Sequence, residues 1–361
     1  MEIISVSKLI EKLIKFKTTN DSPREIMECF GFISDYLKAG GLGLKTYSSG
    51  GFPCLVASRR LKKHYQYILN GHFDVVPATA TGFKPRIKGG RLYGRGASDM
   101  KGVTAAMIEL IKDPDLEKTD IALMLTSDEE IGGFNGVKYL LEKEKYSCDC
   151  AIIPDGGENF SLIVGEKGVL HLKFEAKGEA AHGAEPWLGD NALEKLLRIY
   201  QNLKNSFPKI TPPDYWQPTV NLGILKGGDA TNKVPDWAVM QLDFRFPDID
   251  DEVKIINLVK KEVKKESGVK WEILVKGCPL VNDLNNKYLK RIQAVAKKEK
   301  IRLKIKREHG ASDGRFFSQR GIPVVMFKPI CSEAHIKNEW IDLKSLEKFY
   351  HLLKSFLLKT D

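Results

Sequence analysis

The side chains with the greatest capacity for chemistry stand directly behind short apolar runs. Residues 65–69 lead into Asn70-Gly71-His72-Phe73-Asp74, and residues 121–125 into Thr126-Ser127-Asp128-Glu129-Glu130. Residues 150–153 lead into Pro154-Asp155-Gly156-Gly157, and residues 322–327 are followed shortly by His335. In open α/β sheets, sites form beyond the carboxyl ends of the strands. Asp99, in Gly94-Arg95-Gly96-Ala97-Ser98-Asp99-Met100-Lys101-Gly102, precedes a helical pattern whose N-terminus is expected at the same rim. Two imidazoles and three carboxylates on one rim read as a metal site, with roughly three negative charges set against the four positive charges of two zinc ions. Any one of these residues alone reads as a cap or a solvated side chain; their common place at strand ends is what distinguishes the set. Glu129 and Glu130 are adjacent, and successive side chains of an extended backbone point to opposite sides. One is therefore expected to ligate while the other reaches the attacking water.

The elements that must hold these groups fall into two kinds. The runs before the rim are uniformly apolar and alternate with helical patterns over 100–111 and 136–144, as expected of a parallel sheet covered on both faces. Ser22-Pro23-Arg24-Glu25 has the form of a capping box with proline at the first helical position, and Gly40-Gly41 closes that helix. An amphipathic helix is expected from Met1 to Lys17, and another from 343 to about 358. The middle of the chain differs. Residues 169–177 alternate, with Leu170, Leu172, Phe174 and Ala176 on one face, and 237–246 alternate likewise with Ala238, Met240, Leu242, Phe244 and Phe246. Period-two alternation predicts a sheet covered on one side. The order strand, helix, strand, strand, helix, strand over about 168–276 is a ferredoxin-like βαββαβ unit. The fold class is therefore α/β with a small α+β domain inserted: residues 1–166 and 277–361 form the α/β domain, and 167–276 the insert.

A length of 361 residues suits two domains at about 150 residues each. With 42% hydrophobic and 29% charged residues, disordered and fibrous classes are excluded. No window approaches the roughly 18 apolar residues of a membrane span, and Met1 to Lys17, with Glu2, Lys8, Glu11, Lys12 and Lys15 among its apolar residues, reads as an amphipathic helix and not as a secretion signal, so a cytoplasmic protein without a membrane partner is expected. The six cysteines form no CxxC pair, which favours reduced thiols over metal or disulfide chemistry. The net charge of +10 raises the question of nucleic acid. The lysines are spread, however: Lys260, Lys261, Lys264 and Lys265 share the polar face of a helix, and 297–307 has no aromatic residue for base stacking. No nucleic-acid partner is expected.

At this point six ordered motifs resemble a known family, the di-zinc aminoacylase/carboxypeptidase family of metallopeptidases, which includes acetylornithine deacetylase, succinyl-diaminopimelate desuccinylase, glutamate carboxypeptidase and the cytosolic dipeptidases. The motifs are Gly71-His72-Phe73-Asp74-Val75-Val76-Pro77, the Gly94–Gly102 segment quoted above, Asp128-Glu129-Glu130-Ile131-Gly132-Gly133, Ala181-His182-Gly183-Ala184-Glu185-Pro186, Asn232-Lys233-Val234-Pro235-Asp236 and Asp243-Phe244-Arg245. They extend over most of the chain. The resemblance implies a phosphorylase/hydrolase-like zinc-peptidase catalytic domain, with the inserted domain serving as lid and dimerisation domain. It implies two Zn2+ ions (Co2+ or Mn2+ as substitutes), with His72 and Asp155 on one, Glu130 and His335 on the other, and Asp99 bridging both. It places Asp74 beside His72, gives Glu129 the role of general base, and gives His182 that of a partner-supplied group at the substrate carbonyl. Asn232 and Arg245 resemble the residues that bind the substrate carboxylate, and alternation puts Arg245 on the polar face of its strand, free to do so.

The expected activity is metal-dependent hydrolysis of the amide bond of an N-acyl amino acid, deacetylase- or desuccinylase-like, by a homodimer joined through the inserted domain. The segment 312–316 resembles the desuccinylase type. Asp155 stands where the dipeptidase branches carry Asp, so a dipeptidase or carboxypeptidase acting on short peptides is the alternative. A catalytically silent metal-binding relative is a third reading, against which Glu129 argues, since a silent protein has no need of a base.

Overall fold

The structure, a computed structural model, describes residues 3–358. The chain divides into two compact units, one of residues 1–164, 281–308 and 312–361, the other of residues 165–280 and 309–311.

The first unit is built on a six-stranded sheet, in the order Gly43–Ser49, Phe52–Ser58, Ile121–Thr126, His64–His72, Ser147–Ile152, Val324–Val325. The last four run parallel, and their side chains are almost wholly buried, as the uniform apolar runs predict. The sheet is not parallel throughout. Residues 43–58 form an antiparallel hairpin on its edge, turned at Gly50 and Gly51, where φ is +56° and +87°. Paired glycines with positive φ suit the tight turn between two strands. The helix Lys101–Lys112 packs in the centre with ten buried residues. Its Lys101 is wholly buried, and its ammonium donates to the Leu13 and Phe16 carbonyls (3.0 and 2.8 Å), at the C-terminal end of helix Ile3–Lys15. The N-terminal helix is described from Ile3, so Met1 and Glu2 of that expected helix lie outside the described residues. Helix Pro23–Ala39 starts on its proline, but Ser22 makes no side-chain cap; Glu25 Oε2 instead accepts from the Lys17 N–H (3.2 Å).

The second unit has strands Gly168–Lys177, Thr219–Gly227, Trp237–Phe246 and Val269–Gly277, with helices Ala192–Asn205 and Ile249–Val263 between them. The sheet order is Thr219–Gly227, Trp237–Phe246, Gly168–Lys177, Val269–Gly277, all antiparallel, which is the βαββαβ arrangement. Leu170, Leu172, Phe174, Met240, Leu242 and Phe244 pack against Leu196, Ile199, Leu203, Ile255 and Val259 of the helices. Each such buried side chain contributes about 1.5–3 kcal/mol relative to exposure. Lys260, Lys261, Lys264 and Lys265 are exposed. All six cysteines are free, and five of them are buried.

Candidate metal centre

Parallel strands in register bring His72 to the end of one strand beside Thr126 at the end of the next, and Asp155 three residues beyond a third. His72 Nδ1 donates to the Asp74 carbonyl oxygen at 3.0 Å, with the Asp74 carboxylate at 3.4 Å. That bond fixes the tautomer and leaves Nε2 as the outward, ligating atom. Asp74 therefore orients His72 chiefly through its main chain. Its carboxylate instead accepts from the Glu130 N–H (3.0 Å).

The His72 Nε2 is buried without a hydrogen-bond partner, 3.5 Å from Asp99 Oδ1 and 3.6 Å from Asp155 Oδ1. The His335 Nε2 lies 3.3 Å from Asp99 Oδ2 and 3.1 Å from Glu130 Oε2. His72, Asp99 and Asp155 make one group of donor atoms within 4.8 Å of one another, and Asp99, Glu130 and His335 a second, with Asp99 shared. A tetrahedral ion with bonds of about 2.0 Å holds its ligand atoms about 3.3 Å apart. The observed spacings of 3.1–3.6 Å, and an orphaned imidazole nitrogen between two carboxylates, fit metal ions. The charge balance agrees. Burial disfavours the imidazolium at His72, yet Asp155, Asp74 and Asp99 outweigh it and hold its pKa well above the usual value. Hydrogen bonds to Asp99 and Glu130 push His335 to about 10. Both shifts express one demand, positive charge at the rim. His335 also has φ = +65°, a left-handed conformation that a non-glycine residue adopts at a cost of about 1–3 kcal/mol.

Glu129 belongs to neither group of three. Its backbone is not extended: Glu129–Ile131 is a single 3₁₀ turn, so the separation of Glu129 from Glu130 comes from that turn and not from strand alternation. Gly132 and Gly133 follow with φ of +112° and +65°, and a Cβ at Gly133 would lie 1.9 Å from Asp313 Oδ1. Arg315 donates to the Gly132 carbonyl (2.6 Å) and to the Ser312 carbonyl (2.9 Å). The 312–316 segment thus buttresses the turn that carries Glu129. Burial, then the Asp155 charge, pushes the Glu129 carboxyl well above its usual range.

Two residues that the motifs do not mark shape this rim. Glu339, 2% exposed, accepts from Arg95 Nη1 (2.7 Å) and from the backbone N–H groups of Gly96, Ser98 and Asp99 (3.0, 2.7 and 2.8 Å). The strand Trp340–Asp342 pairs with Arg91–Tyr93 and delivers it there. Lys328, 1% exposed, places Nζ 3.5 Å from Asp99 Oδ1 and 3.6 Å from Asp155 Oδ1. The one local signal for it is a lysine immediately past the apolar run 322–327.

The remaining candidates lie in the second unit. His182 and Lys233 form a β-bridge, and the Asn232 carbonyl accepts from the Gly183 N–H (2.8 Å), so His182 and Asn232 are neighbours on exposed loops. His182 Nδ1 accepts from the Ala184 N–H (3.1 Å), which leaves Nε2 as a donor. Arg245 is elsewhere. It lies near the far end of Trp237–Phe246, about 26 Å of strand beyond the end where Asn232 sits, at about 3.3 Å per residue. Nor is it wholly free, since its Nε donates to Asp243 Oδ1 (2.9 Å). Within one chain, one small carboxylate cannot meet both Asn232 and Arg245.

Comparison with known proteins agrees with the geometry. The chain is 27% identical over 318 residues to succinyl-diaminopimelate desuccinylase of Rickettsia bellii, covering 80% of each chain. An M20 family metallo-carboxypeptidase from Sulfolobus solfataricus shares the fold with a TM-score of 0.82 and 20% identity, over 99% of each chain. A tripeptidase from Staphylococcus aureus follows at 0.79 and 20%, covering 99% of this chain and 98% of its own. The model of peptidase family M20/M25/M40 matches residues 68–359, and the chain belongs to that family of metallohydrolases acting on amide or peptide bonds.

Proposed function

We propose that this enzyme hydrolyses the amide bond of an N-acyl amino acid, with Glu129 as its general base. The observation that carries the reading is a pair of ligand groups sharing Asp99, with Glu129 beside them and in neither. Zn2+ ions held by His72 and Asp155, by Glu130 and His335, and by Asp99 between them (Co2+ or Mn2+ as substitutes) would supply Lewis acidity, lowering the pKa of water to about 7 and polarising the carbonyl. Glu129 takes the proton of the attacking water and returns it to the leaving amine. Because Glu129 stands outside both ligand groups, its carboxylate is left to carry that proton between the two transfers.

His182 Nε2 donates to the substrate carbonyl, with Asn232 beside it. Arg245 binds the free carboxylate on the leaving side through its Nη atoms. The length of strand between Asn232 and Arg245 supports a homodimer in which a substrate meets Arg245 of one protomer and His182 with Asn232 of the other. The edge strand Thr219–Gly227, with Ile224 38% exposed, supports pairing through this unit. The free cysteines support a cytoplasmic enzyme, and no helix among the described residues is long and apolar enough to cross a membrane.

A panel of N-acetyl and N-succinyl amino acids and dipeptides, assayed with added zinc, tests the reading. Turnover of the N-acyl substrates is expected, and turnover of dipeptides alone would instead establish the peptidase reading that Asp155 favours. Mixing His182→Ala chains with Glu129→Gln chains should restore activity through mixed dimers; no restoration would refute the shared site.

A further inference from the structure

The two metal positions are not equivalent, and the difference is an ammonium group. Lys328 Nζ faces Asp99 Oδ1 and Asp155 Oδ1, the same two oxygens that His72 Nε2 faces. The other position draws on Asp99 Oδ2, Glu130 Oε2 and His335 Nε2, and among the described residues the ion pairs of Lys328 are to Asp99 and Asp155, not to Glu130. An ion between His72, Asp99 and Asp155 must therefore take carboxylate oxygens that already face a buried cation. The lysine has little room to retreat. Its side chain is 1% exposed, its N–H donates to the Gly157 carbonyl (2.9 Å), and its own carbonyl accepts from Phe160 (2.9 Å), pinning its backbone to the loop behind Asp155. Like charges a few ångströms apart in a poorly solvated site repel strongly, the more so when one is divalent.

We propose that Lys328 acts as a built-in counter-cation at the His72–Asp99–Asp155 position, so that the chain loads one ion tightly at Asp99–Glu130–His335 and admits a second only weakly. This rests on the reading of the rim as a metal centre and assigns it an order of occupancy. With one ion bound, the ammonium supplies part of the charge that a second ion would bring to Asp99 and Asp155.

The test is a zinc count on the full chain, stripped of metal and titrated against a chelator of known affinity, with bound zinc measured by atomic absorption. Wild type is expected to hold one zinc per chain tightly and a second about 100-fold more weakly or worse. His335→Ala should abolish the tight event, whereas His72→Ala should keep it. Lys328→Met should bring the two affinities to within about 10-fold; circular dichroism checks its folding, and if it fails to fold, the wild-type count and the two histidine variants decide. Two ions of equal affinity in wild type, or a tight site lost with His72 and not with His335, would overturn the proposal while leaving the metal centre standing. No zinc bound at all would overturn both.

Discussion

Glu339→Gln probes how the Asp99 loop is held, and its cost can be worked from the contacts. The carboxylate takes four hydrogen bonds with no solvent to share them: Oε2 serves Arg95 Nη1 and the Gly96 N–H, and Oε1 serves the Ser98 and Asp99 N–H groups. The glutamine side chain has the same shape, but one end is an NH2 donor. Whichever way the amide turns, that end faces two donors, either Arg95 with Gly96 or Ser98 with Asp99. A buried donor left without an acceptor costs about 1–3 kcal/mol, so the substitution is expected to destabilise the chain by about 2–6 kcal/mol. A typical domain has about 5–15 kcal/mol in all, so the effect should be large in a urea unfolding curve. The loop can relieve the clash only by shifting, and Asp99 shifts with it. Groups that orient metal ligands are typically worth about 10–100-fold in metal affinity. Zinc affinity, measured by chelator competition on the folded variant, should fall by that factor. A variant with the wild-type urea midpoint and wild-type zinc affinity would show that the four bonds neither hold the loop nor place Asp99.

Glu129→Gln should keep its bound zinc, since Glu129 is outside both ligand groups, and lose about 10²–10⁴-fold in kcat; near-wild-type turnover would refute its role as base. Arg245→Ala should raise KM for a free-acid substrate far more than for its amide, and equal effects would sink the carboxylate anchor. Asp113 is held below the usual carboxylate range, because hydrogen bonds from Lys354, Tyr350 and the Asp115 N–H outweigh the opposing effect of burial. Its depressed pKa contributes stability that is fully present above the unfolded value of about 3.9 and is lost as pH falls through the folded value. The gap in urea midpoint between wild type and Asp113→Asn should therefore narrow below about pH 4; a constant gap would refute the ionic origin.

What the sequence made legible follows from the range of the forces involved. A buried parallel strand must be apolar at every position, so the runs before His72, Glu129 and Asp155 announced both the strands and the rim. Alternation announced the one-sided sheet of the second unit for the same reason. The edge hairpin escaped because Gly43–Ser49 is half exposed with no clean period, and only the Gly50-Gly51 pair marked it. Ser22 had the type of a cap but not the bond, and the adjacent glutamates had the pattern of a strand but the conformation of a turn. These errors are local and small. The residues that no pattern could reveal are those whose partners are far away in the chain. Glu339 reaches Asp99 across 240 positions and Lys328 reaches it across 229. Neither spacing nor periodicity encodes such pairs; only the closed fold does. The consequence is electrostatic. Counting three carboxylates against two divalent ions treats the rim as if it held anions alone, and the Lys328 ammonium changes that sum most at the position that draws on both Asp99 and Asp155. Sequence pattern can therefore identify the ligands of this centre, but the relative strength of its two positions depends on a charge that only the tertiary structure brings to it.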